Sequence, residues 1–96
     1  MNSKLALCTL NLHLPESHSL KDKRSTIKSI TKRLHTTFNL SVAEVDKLDK
    51  WQLAVIAMVI VSIDFKHSER VVRQAITYIE EHYPHVQILD EDIELI

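Results

Sequence analysis

Hydrophobic and polar positions divide this chain into six stretches whose periods alternate between strand-like and helix-like. Lys4 to Leu14 alternates loosely, is rich in leucine and is closed by Pro15, the pattern of a strand. Ser19 is a good helix N-cap, and Leu20, Ile27, Ile30, Leu34 and Phe38 follow at helical spacing. Asn39 offers that helix a left-handed end, a position usually given to glycine, which this chain lacks. Val42 to Asp46 predicts a short strand, and Lys47 to Lys50 a polar turn. Gln52 to Ile63 is β-branched and apolar on both parities, as an interior strand would be. Asp64 caps a second helix with Val72, Ala75, Ile76, Ile79 and Tyr83 on one face, and Pro84 stops it. Val86 to Ile96 is a final strand; its apolar parity switches between Ile88 and Ile93, which predicts a bulge near Asp90 or a fraying end.

The order is therefore β-α-β-β-α-β, two crossovers joined by a hairpin. Right-handed crossovers place both helices on one face of a four-stranded antiparallel sheet, an α+β, ferredoxin-like arrangement over residues 1–96 as a single domain. The other sheet face then has no helix. Both parities of the first and third strands carry large apolar residues, so that face predicts a cover, most simply a twofold copy of the chain in a homodimer, the alternative being the tail or a twisted hairpin of the same chain.

Charge changes the picture through its distribution. The formal sum is only -1, yet Ser19 to Phe38 carries six cations against Asp22, whereas Val86 to Ile96 carries Asp90, Glu91, Asp92 and Glu94 and no cation. Lys21, Arg24, Lys28 and Lys32 fall within a helical sector of about 80°. Such a row, with Lys23 and Arg33 flanking it, matches successive phosphates of RNA; the commoner role for such charges is a solvated face, or one that pairs with the Asp90–Glu94 acids of the same molecule. Cations in a first turn also oppose the helix dipole at a cost of a few tenths of a kcal/mol each, roughly.

Other chemistry is sparse. Glu44 and Asp46, two apart on a strand, project from one face with Asp49 nearby; such acids hold Mg²⁺ or, more ordinarily, guard an edge strand. Trp51 stacks on a base, anchors a partner or, more ordinarily, packs at the hairpin base, and the four residues together mark an acidic-aromatic patch. The six histidines are scattered, Cys8 stands alone mid-strand, and no phosphate loop can be built without glycine. No catalytic residue, metal or cofactor is assigned. From Leu53 to Ile63 the apolar run is 11 residues, too short to span a bilayer as a helix, and the N-terminus lacks a signal-peptide pattern. The chain reads as cytoplasmic, with no membrane partner.

Four stretches carry a family resemblance over almost the whole length. They are Ser19-Leu20-Lys21-Asp22-Lys23-Arg24, Asn39-Leu40-Ser41-Val42-Ala43-Glu44-Val45-Asp46, Asp49-Lys50-Trp51-Gln52 and Ile79-Glu80-Glu81-His82. In this order they resemble the YlxP-like family, the domain of unknown function 503, in which Glu usually stands where this chain has Asp22. The resemblance implies a ferredoxin-like fold and no established activity. Many bacterial members are encoded beside a translation initiation factor and a ribosome-binding factor, which implies a setting in ribosome maturation or translation. The expectation is a non-enzymatic accessory protein that binds rRNA or a ribosome assembly or translation complex through the basic helix. The alternative is a protein-interaction or small-ligand module using the apolar sheet face, without nucleic acid.

Overall fold

A computed structural model describes residues 2–96. Its elements run β1 (Lys4–His13), α1 (Leu20–Thr37), β2 (Ser41–Asp46), β3 (Leu53–Ser62), α2 (Phe65–His82) and β4 (Gln87–Leu95). The four strands form one antiparallel sheet in the order β2-β3-β1-β4, so the N- and C-terminal strands pair at its middle and edge. This is the ferredoxin-like topology the sequence predicts.

Alternation along β1 sorts the two sheet faces. Ala6, Cys8, Leu10, Leu12 and Leu14 are almost completely buried and face the helices, meeting Ile27, Ile30 and Leu34 of α1 and Val72, Ala75 and Ile79 of α2. Residues opposite one another in an antiparallel pair share a face. The open face therefore carries Leu5 and Val61, Leu7 and Val59, Thr9 and Ala57, and Asn11 and Val55, with Asp90, Asp92 and Glu94 along β4. Leu5 and Ile96 exchange backbone hydrogen bonds of 3.2 and 2.7 Å, extending the apolar part of this face to the end of the chain.

Two bulges adjust the edges. In β4, Leu12 pairs with Ile88 and Asn11 with Asp90, leaving Leu89 as the extra residue beside the predicted position. In β2, Glu44 pairs with Ile56 and Asp46 with Val55, so Val45 is extra. This second bulge overturns the expectation that Glu44 and Asp46 share a face: Ile56 points to the helices and Val55 to the open side. The helix end also differs from expectation. Phe38 is the C-cap in extended conformation, its N–H bonded to Leu34 O, and the left-handed residue is Lys47 (φ 56°) in the hairpin, not Asn39.

Candidate nucleic-acid interface

Helix α1 begins where Ser19 Oγ accepts the Asp22 N–H at 3.0 Å and Asp22 Oδ2 accepts the His18 N–H at 3.0 Å. This reciprocal cap satisfies donors that the first turn leaves without helical partners. From there Lys21, Arg24, Lys28 and Lys32 run along the helix, all exposed. Their positions climb the axis in steps of roughly 4.5–6 Å. Among the described residues none of the four has a carboxylate within ion-pair distance. The acidic strand does not neutralise them: Glu91 pairs with Arg73 of α2.

The other two cations of α1 are placed differently. Lys23 has no exposed surface, and this corrects its expected flanking contact with phosphate. It occupies the apolar spacing of Ile27, Ile30 and Leu34, and its ammonium reaches under the β2–β3 hairpin. There Nζ donates to Lys47 O at 2.8 Å and Leu53 O at 3.2 Å, and lies 2.9 Å from Glu44 Oε2. The Glu44 oxygen falls outside hydrogen-bond angles, so that contact is an ion pair without an aligned bond. Arg33 is exposed but turned toward α2: its guanidinium lies 5.5 and 5.6 Å from the Tyr78 and Tyr83 ring centroids. Nη1 also reaches the Tyr83 hydroxyl at 3.4 Å, and the same hydroxyl lies 2.6 Å from Ser29 Oγ. Arg33 thus belongs to the seam between the helices, where Phe38 meets Tyr78 edge-on and His82 stacks on it.

The acidic-aromatic patch separates in the same way. Glu44 is committed to Lys23, while Asp46 and Asp49 are exposed, and Asp46 Oδ1 accepts the Lys47 N–H at 2.7 Å. Trp51 does not pack at the hairpin base but is 57% exposed. It borders a shallow groove of about 380 Å³ with His13, Lys50, Gln52 and Leu53. Gln52 anchors this end of the sheet, its Nε2 donating to Pro15 O at 3.2 Å and Ser17 O at 3.1 Å. Cys8 is buried among the core side chains, and burial, then the Glu91 carboxylate, pushes its thiol up to about 11. At neutral pH it is protonated and no nucleophile. Among the described residues no three His, Cys, Asp or Glu side chains converge to hold a metal ion.

Residues 5–93 match the family model described as "Protein of unknown function (DUF503)". The chain belongs to this family. The chain is also 28% identical over 72 residues to the uncharacterized protein YlxP of Bacillus subtilis (strain 168), covering 75% of this chain and 77% of that one. Among solved structures, a de novo designed protein, Foldit4, superposes with a TM-score of 0.57 at 14% identity, covering 97% of this chain and 96% of that one. A designed chain so distant in sequence attests the fold alone. Within the DUF503 resemblance, two stretches meet at one ammonium: Lys23 comes from the first and Glu44 from the second, with Leu53, just after the third, also bonded to it. Two residues of those stretches, Lys23 and Glu44, thus form a contact that ties α1 to the β2–β3 hairpin. Among the described residues no helix is long and apolar enough to cross a membrane.

Proposed function

We propose that this chain is a non-catalytic accessory protein that binds rRNA, or a ribosome assembly or translation complex, through the α1 cations. The observation that carries the reading is the exposed, acid-free row Lys21, Arg24, Lys28 and Lys32, held rigidly by the buried Lys23 clamp beneath it. The setting rests on the translation-linked context that the family resemblance implies. Phosphate contacts position a protein on RNA without reading sequence, so selectivity comes from RNA shape or a second contact. Four neutralised phosphates give a log-log salt slope of roughly -3 to -4. Arg24→Glu with Lys28→Glu removes two contacts and reverses their sign. Cosedimentation with ribosomal particles at two salt concentrations should then show at least a roughly tenfold loss and a slope about half as steep. Binding that neither salt nor the double variant alters would rule the reading out.

A second reading has its own observation. Val61, Ile63 and Ile96 are 61%, 80% and 65% exposed at the Leu5 end of the sheet. These side chains favour an apolar partner on the open face, and a second copy of the chain in a homodimer is the simplest one.

A further inference from the structure

The row on α1 explains how a strand of RNA is held but leaves the exposed tryptophan unused. We propose that the groove beside Trp51 receives an unpaired nucleobase of the strand whose phosphates lie on α1, which makes the protein a single-strand binder. The proposal rests on the phosphate reading above and adds to it a base contact.

Trp51 is the only tryptophan of the chain, and it spends more than half of its surface on solvent. Its backbone is nevertheless well held. Lys50 N–H closes the turn onto Lys47 O at 3.1 Å, and Gln52 O accepts the Leu14 N–H at 2.8 Å. With the Gln52 side chain bonded on to Pro15 and Ser17, the indole stands on a fixed base. The His13 ring, held by Gln87 Oε1 at 3.0 Å from Nδ1, Leu53 and the Lys50 stem complete the groove. Two rings and an apolar floor with a cation at the rim match a base and its attached phosphate. Stacking on an aromatic ring accepts any base, because every base has a π-face.

The Lys23 clamp puts this groove at the same end of the molecule as the start of the row. Its ammonium bonds Lys47 O and Leu53 O, on either side of the turn that carries Trp51, from the first turn of α1. The groove opens on the bare sheet face, which His13 and Leu53 share with Leu5 and Val61. A strand lying along Lys32, Lys28, Arg24 and Lys21 therefore runs toward the hairpin and turns around this end of the sheet to reach the groove, past the positive charge of Lys50. Asp46 and Asp49 lie exposed in the same hairpin and repel a phosphate backbone, so the strand enters from the Lys50 and His13 side. A protein hot spot fits less well: it needs an apolar surround that excludes water, and of the turn residues before Trp51 only Leu48 is apolar, Lys47, Asp49 and Lys50 being charged. Bases inside a duplex have both faces covered, so only an unpaired strand can offer one to the indole.

Because Trp51 is the sole tryptophan, its emission reports this groove alone. A dye-labelled RNA oligonucleotide and the same oligonucleotide annealed to its complement are titrated, following label anisotropy and tryptophan emission together. The single strand should raise anisotropy and quench Trp51; the duplex should raise anisotropy more weakly and leave the emission unchanged. Trp51→Leu should weaken the single strand about tenfold and leave the duplex unaffected. Trp51→Phe should restore most of the loss, with matching far-UV circular dichroism for both variants. Rising anisotropy without quenching, with Trp51→Leu equal to the parent on both RNAs, overturns the base contact and leaves the phosphate reading standing. No anisotropy change with either RNA overturns both.

Discussion

Lys23 is the residue whose chemistry is furthest from its surface neighbours. Its ammonium has three acceptors around it, two carbonyls and the Glu44 carboxylate, and no solvent. Removing one member of a buried pair strands the other, which costs about 3–5 kcal/mol, whereas replacing both with apolar groups is far milder. Lys23→Met should therefore lose about 3 kcal/mol or more in urea unfolding. Adding Glu44→Leu should recover part of that loss, the two carbonyls remaining without their donor. A single variant that unfolds within about 1 kcal/mol of the parent would show that the clamp holds nothing. The sequence contained the signal for this residue. Lys23 stands four before Ile27, which lies three before Ile30 and seven before Leu34, so it shares their spacing; its charge made it look like part of the water-facing row. Arg33 gave no such signal, because its partners Tyr78 and Tyr83 come from a helix and a cap about fifty residues away.

At the scale of elements, hydrophobic period was enough to place all six in order and to expect the irregularity of β4, found at Leu89. The hairpin was less legible. A strict period of two put Glu44 and Asp46 together, and nothing in Ser41 to Asp46 announces the extra residue Val45 that parts them. The tight return after the bulge requires a left-handed residue, and without glycine the chain uses Lys47 at φ 56°. A side chain with a Cβ pays roughly 1–2 kcal/mol for that conformation. Lys47→Gly removes the strain and leaves the carbonyl that Lys23 holds in place. It also adds freedom to the unfolded chain, which offsets about 0.4–1 kcal/mol. The net expectation is a gain of about 0.5–1 kcal/mol by chemical denaturation. A loss would mean that the Lys47 side chain contributes a contact outweighing its backbone strain.

The whole molecule is polarised: cations on the outer side of α1, acids on β4, and an apolar patch at one end of the bare sheet face. That patch comprises Leu5 and Val61 and Leu7 and Val59, from the two strands whose other faces are buried under the helices, and Ile96 beside Leu5. Helices α1 and α2 pack on the other face and leave it bare, and the cover proposed for it is a second copy of the chain. An isologous pair over this patch should give a light-scattering mass of twice 11.1 kDa at tens of micromolar, roughly. Val61→Glu with Ile96→Glu places charge at its centre and should return the mass to 11.1 kDa without changing far-UV circular dichroism. A parent that already runs as a single sharp monomer sinks the pairing. A pairing confined to the Leu5 end would be compatible with RNA on both copies. The strands carry the Leu5–Val61 pair at one end and the His13–Leu53 pair, beside Trp51, at the other, roughly 30 Å away. Patch and groove share the bare face, so a contact confined to the Leu5 end would leave both Trp51 grooves open and both α1 rows on outer surfaces. A long single strand then engages two copies at once, with the second contact made at the high effective concentration set by the first. The double-Glu variant should accordingly bind a short oligonucleotide as the parent does and a long one markedly less tightly, a difference that disruption of the fold would not produce.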